Sequence, residues 1–262
     1  MSSKIIIALV VAASAAFAAC GSSGKELSPS SQKSGAGSAN KPSTAPQIID
    51  PTKIAAQYHP KIVPSQFTSK IDNRYLSLTP GTTNVYKGTR DGVPTQTMVR
   101  VLKGTKSVFG VECVVVSDVV TQNHSLVEKT TDWYAQDSAG NVWYFGENTA
   151  EYKNGIVTST AGTWQAGVDK ALPGIVMEAN PIKGHRFRQE YRPGVALDKA
   201  TVLDTNATVM TPAGTYRNVV VTDDINPLDP TKKEHKWYAP GVGFVHAVLH
   251  QGGHTEISSL VK

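Results

Sequence analysis

A pattern of roughly 100 residues occurs twice in this chain and limits the fold more than any other feature. Val101-Leu102 recurs as Val202-Leu203. Gly110 followed by Val114-Val115-Val116-Ser117-Asp118 recurs as Gly214 followed by Val219-Val220-Val221-Thr222-Asp223, and Trp133-Tyr134-Ala135 recurs as Trp237-Tyr238-Ala239. Chance similarity between β-rich segments is the alternative, but anchors in order at near-constant offset favour duplication. The two copies span residues 82–147 and 185–250, each a meander of about five strands. Such meanders either face each other around one core or continue one curved sheet.

The runs inside each copy are short, β-branched and aromatic, and are cut by Gly, Asp and Asn. Strands are expected at residues 84–89, 95–103, 108–120, 125–135, 141–146, 186–191, 201–209, 216–222, 234–238, 244–249 and 255–261. This spacing predicts an all-β fold, a sandwich or a curved, partly open barrel-like sheet. Pro51, Pro60 and Pro64 mark a lead-in with a short helical turn at residues 52–58. Residues 162–177, between the copies, do not follow the strand pattern and hold Trp164 and Met177. A link of this length either covers an open edge or end of the sheet or rims a pocket. The sheet's need for covered edges favours the first; in the second, Trp164 and Met177 are the candidate ligand contacts.

Residues 1–19 read as an export leader: Lys4 gives the positive start, 5–17 the apolar run, and Ala18-Ala19 the small residues before a cut. Phe17-Ala18-Ala19-Cys20-Gly21 resembles a bacterial lipobox, which implies lipidation of Cys20 and a bacterial envelope location facing periplasm or exterior. Residues 20–47 are Ser-, Gly-, Ala-, Pro- and Lys-rich, a flexible tether with a mean span of about 28 Å. Residues 48–262 then form a single β-rich domain. The membrane partner is engaged through the N-terminal lipid, because no second apolar run is long enough to span. The formal charge of +5 shrinks once Lys4 and the lysines of the tether are set aside. No basic stripe remains, which excludes nucleic acid as a partner.

His246, His250 and His254 stand four apart, but Gln251-Gly252-Gly253 reads as a hairpin turn, not a helix. His250 and His254 are then expected to face each other across a three-residue loop. They are solvent-facing hairpin residues, or else a weak two-histidine metal site. Asp118 and Asp223 occupy matching positions that read as strand-end turn chemistry, with a hydrolytic carboxylate pair as the alternative. Trp133, Trp143 and Trp237 are expected to fill the core, and Cys113 to be a buried inert thiol. No nucleophile elbow, phosphate loop, dinucleotide fingerprint or zinc-protease helix is present, and no cofactor is implied.

The strings Ile71-Asp72-Asn73-Arg74-Tyr75-Leu76, Asp132-Trp133-Tyr134-Ala135-Gln136-Asp137, Gly140-Asn141-Val142-Trp143-Tyr144-Phe145-Gly146-Glu147, Pro173-Gly174-Ile175-Val176-Met177 and Trp237-Tyr238-Ala239-Pro240-Gly241-Val242-Gly243 together resemble a family of uncharacterised bacterial secreted or lipid-anchored β-rich proteins. The resemblance runs from about Phe67 onward and implies an envelope protein with no assigned activity. The histidines depart from that pattern. Three functions remain open. A non-enzymatic binding or structural role, toward an apolar ligand or an envelope protein, predicts no cluster of perturbed ionisable groups. A carrier of an apolar molecule between the repeats requires an apolar cavity. An envelope hydrolase requires an acid and a base converging in a cleft.

Overall fold

The computed structural model describes residues 58–262. A single turn of 3-10 helix at Pro64–Gln66 precedes three short strands, β1 (Phe67–Thr68), β2 (Ile71–Asn73) and β3 (Leu76–Leu78). Then come the long strands β4 (Thr83–Arg90), β5 (Val93–Val108), β6 (Val111–Gln122), β7 (Ser125–Asp137) and β8 (Val142–Lys153). Short strands β9 (Ile156–Ser159), β10 (Trp164–Gln165), β11 (Leu172–Met177), β12 (Arg186–Arg188) and β13 (Glu190–Tyr191) lead to a second long set. These are β14 (Lys199–Thr211), β15 (Gly214–Asn226), β16 (Asp229–Ala239), β17 (Gly243–Gln251) and β18 (His254–Leu260). The protein is all-β, as the strand pattern predicts. The helical turn expected at residues 52–58 lies, all but Tyr58, outside the described residues.

Neighbouring strands pair antiparallel in the order β12-β14-β15-β16-β17-β18-β4-β5-β6-β7-β8-β11-β13. The two meanders therefore continue one curved sheet, joined where β18 lies against β4. The sheet also closes. Its two ends, β12 and β13, belong to one segment with only Gln189 between them: β12 pairs with β14, and β13 with β11. A Cβ at Gly174 of β11 would stand 2.4 Å from the carbonyl oxygens of Arg188 and Gln189, so the closure depends on bare backbone there. The result is a barrel-like sheet with almost no free edge.

Residues 162–177 differ from expectation. Trp164–Gln165 and Leu172–Met177 are strands, both paired with the edge of β8. They extend the sheet while covering it, and their shortness hid their period.

Corresponding contacts appear in the two halves. The amide of Gly81 donates to Val101 O and that of Gly184 to Val202 O, each at 2.8 Å. The β7/β8 register shifts between Trp133 and Tyr134, and the β16/β17 register between Trp237 and Tyr238. Val114 lies opposite Tyr134, and Val220 opposite Tyr238. In β6 and β15 the facing residues are thus 106 apart, one more than the sequence offset. A slip of one residue turns every side chain to the other face. The inward counterpart of Asp118 is therefore Asp224, while Asp223 faces outward.

The inward rows change character along the barrel. At one end stand Tyr86, Val101, Val116, Tyr134, Tyr144, Val202, Val220, Tyr238 and Leu260, within one apolar cluster. The β2–β3 hairpin packs there through Ile71, Leu76 and Leu78. Gln136 holds it by accepting the amides of Asp72 and Asn73, and the Asn73 side chain donates to Gly140 O and Glu178 O. Toward the other end the same rows become polar and charged.

Candidate functional site

The charged end is built from period-two rows. β7 contributes Glu128, Thr130 and Asp132 in phase with Tyr134; β16 contributes Lys232, Glu234 and Lys236 in phase with Tyr238. All of them are buried. Asp132 faces Glu147 of β8 across the strand pair, and the closing segment adds Gln189, Glu190 and Asp198. Among these, six carboxyl groups (Asp132, Glu147, Glu190, Asp198, Asp224 and Glu234) surround two ammonium groups.

Half of this charge is paired. Lys232 Nζ lies 2.5 Å from Asp198 and 3.7 Å from Glu234, and Lys236 Nζ lies 3.0 Å from Asp224 and 3.2 Å from Glu234. Gln189 donates to Asp224 at 3.1 Å, and the Tyr144 hydroxyl donates to Asp132 at 2.7 Å. Both carboxyl oxygens of Glu147 and of Glu190, by contrast, are buried without a hydrogen-bond partner among the described residues. The indole N–H of Trp164, opposite Glu147 on β10, is in the same position. Buried polar groups are normally satisfied, so such a set is where water or a ligand belongs.

Electrostatics follow from the burial. Desolvation pushes Asp132 up to about 7 and Asp198 to about 6, the latter partly offset by Lys232. Glu147 rises well above its ordinary value through desolvation first and then Glu190 and Asp132, and Glu190 through desolvation and then Asp198, with Lys232 and Lys236 opposing. Lys236 stays protonated, because Glu234 and Asp224 outweigh its desolvation. Farther along, Glu128 reaches about 8, and Glu256, which accepts Arg90 Nε at 2.6 Å, about 7. No group of three His, Cys, Asp or Glu side chains among the described residues converges as metal ligands.

A cleft of about 410 Å³ opens beside this cluster, with Trp133, Trp164, Lys106, Arg192 and Asp169 around it and Glu147 at its inner wall. Lys106 Nζ lies 3.4 Å from the Trp133 ring centroid and donates to Gln165 at 3.0 Å. Arg192 bridges Thr163 O at 2.5 Å and Asp169 at 2.9 Å.

The residues singled out from sequence are scattered. Trp164 lines the cleft, whereas Met177 is sealed in the apolar cluster. Cys20 lies outside the described residues. The histidine hairpin has a two-residue turn, Gly252-Gly253, with φ of 56° and 84°, not three. His250 therefore pairs with Thr255 and His254 with Gln251, so the two imidazoles point to opposite faces instead of facing each other. His250 bonds the Thr255 hydroxyl at 3.0 Å, and His254 bonds Asp91 at 2.5 Å. Asp118 is not at a strand end but inside β6, buried and facing inward, and outward Asp223 meets His235 at 3.3 Å. Of the tryptophans expected in the core, Trp133 is buried within the apolar cluster, whereas Trp143 and Trp237 are only partly buried and pack against it, beside the fully buried Tyr134, Tyr144 and Tyr238. Cys113 is buried, its thiol raised to about 12 by desolvation.

The expectation of no perturbed ionisable cluster fails, and the charged rows were missed. The usable signal was Glu128-x-Thr130-x-Asp132-x-Tyr134 and Lys232-x-Glu234-x-Lys236-x-Tyr238, charges in phase with a core aromatic.

No protein-family model and no curated protein matches the chain. Two solved structures are similar to it. One is a Bacteroides fragilis protein assigned as exported, with a YmcC-like fold (TM-score 0.41, 16% identity, covering 72% of this chain and 97% of that one). The other is a Parabacteroides distasonis protein assigned as a lipoprotein (TM-score 0.39, 14% identity, covering 72% and 97%).

Proposed function

We propose that this chain is a lipid-anchored protein of the bacterial cell envelope, internally duplicated, whose barrel binds a small ligand carrying a positively charged nitrogen. The observation that carries this reading is the pair Glu147 and Glu190, with four buried carboxyl oxygens lacking hydrogen-bond partners among the described residues, Glu147 itself lining the cleft. Acids outnumber ammonium groups around them, so an added cation is favoured over an anion. The Trp133 ring at the cleft already holds an ammonium group, that of Lys106, over its face. The cleft volume is in the range of small-molecule sites. Anchoring through Cys20 and the tether rests on the leader sequence. An apolar cargo is disfavoured, because the interior next to the cleft is charged.

Native mass spectrometry of the full protein, released in mild detergent from its own host, tests the reading. A retained organic cation, lost in Glu147→Gln and Glu190→Gln, is expected. A ligand-free mass, with no rise in melting temperature on adding tetramethylammonium or putrescine at pH 8, overturns it. Binding also releases protons at pH 7, since a cation favours the ionised forms of acids such as Asp132, raised to about 7, and draws their pKa back down. Affinity therefore increases from pH 6 to pH 8, measurable by calorimetry in buffers of different ionisation enthalpy.

A further inference from the structure

The outer face where the barrel closes is arranged quite differently from its interior. Strand register places Arg188 of β12 opposite Lys199 of β14, Lys199 opposite Ile225 of β15, and Ile225 opposite Lys233 of β16. The adjacent row runs Arg186, Thr201, Asp223, His235. A groove of about 510 Å³ lies over these strands, lined by Arg186, Arg188, Lys199, Thr201, Asp223 and Ile225 among others.

Like charges directly opposite each other on a sheet repel, and here Arg188 and Lys199 are such a pair. Burial and then Arg188 hold the pKa of the Lys199 ammonium below its usual value. Arg188 is braced, with its guanidinium 5.2 Å from the Tyr191 ring and Nη1 donating to Leu197 O at 3.4 Å. The side chains of Arg186 and Lys199, beyond their strands' backbone pairing, make no hydrogen bond or ion pair among the described residues. Asp223, which lines the same groove, is engaged by His235 at 3.3 Å.

We infer that this groove binds a phosphate-class anion, with Arg186, Arg188 and Lys199 supplying charge and the Thr201 hydroxyl a further donor. A guanidinium offers a planar fork of N–H donors and an ammonium a compact charge, the combination that suits tetrahedral oxyanions. The anion relieves the Arg188–Lys199 repulsion that the empty groove carries. Such a group comes from two sources, a free phosphate or the headgroup of an anionic phospholipid, and both share this chemistry. The site lies on the outer surface and stands independently of the cation reading for the interior.

The test is calorimetric titration of the full chain in nonionic detergent with inorganic phosphate and, separately, with short-chain phosphatidylglycerol below its micellar concentration. Sodium chloride at matched ionic strength is the control. Saturable binding of either ligand beyond the chloride control is the expected result; phosphate alone identifies a free anion and the lipid alone a headgroup. Lys199→Met is expected to weaken binding about tenfold while leaving the melting temperature in phosphate-free buffer equal or higher, since a repulsive charge is gone. Arg186→Gln, at an exposed position, repeats the affinity loss should Lys199→Met perturb the sheet. Absence of binding by both ligands, an equal effect of chloride, or wild-type affinity in both variants overturns the inference.

Discussion

Glu147 and Glu190 are buried in a cluster richer in acids than in ammonium groups, and desolvation first, then neighbouring acids, favours their neutral forms in the folded chain. At pH 8 the unfolded chain carries them ionised, while the folded chain holds them protonated or pays to ionise them, so each weakens the fold as pH rises. Glu147→Gln keeps the shape and removes the ionisable proton. It is therefore expected to raise the melting temperature at pH 8 and change it little at pH 5, which a pair of thermal melts checks. Little of this was legible from single residues. The repeated Trp-Tyr pairs do not say which ring points inward: the strand phase turns Tyr134 and Tyr238 into the core and leaves Trp237 only partly buried, although Trp133 is buried in the same cluster. Cross-strand partners, which a single sequence does not reveal, decide that phase.

At the level of elements, most long strands could be read from β-branched runs and turn residues. The strand expected at residues 186–191 is met by β12 and β13, whereas β10 and β11 could not be read, because two to six residues show no reliable alternation. Together β11, β12 and β13 close the barrel. Two glycines mark where elements meet too closely for a side chain. A Cβ at Gly88, in the β18–β4 seam, would lie 1.7 Å from Ile257 O, and one at Gly174 would lie 2.4 Å from the closing segment. Both clashes involve backbone, which cannot swing aside. Gly88→Ala is expected to destabilise by at least about 3 kcal/mol, in the range of severe packing defects. Gly174→Ala is expected to loosen the closure at residues 186–191. Denaturant titration measures the first, and hydrogen exchange at residues 186–191 the second. An unchanged unfolding midpoint for Gly88→Ala would contradict the seam described here.

For the whole molecule, the raised acids act together. Asp198 at about 6, Asp132 and Glu256 at about 7 and Glu128 at about 8 all lie above the unfolded carboxylate value near 4. Between that value and each raised one, unfolding releases a proton, so stability falls as pH rises, by about 1.4 kcal/mol per pH unit for each proton released. Once pH exceeds a group's folded value, its contribution to the slope ends. The protein is therefore expected to be most stable near pH 5 and to lose melting temperature steadily toward pH 8; a flat profile would mean these acids are solvated or already neutralised. The hairpin of β2 and β3 gives this axis a direction. By sealing the tyrosine-lined end, it makes the barrel a vessel stoppered at its base. Water, protons and solutes then exchange with the buried acids through the flank or the opposite mouth, and that side sets how quickly the interior follows a change in its surroundings.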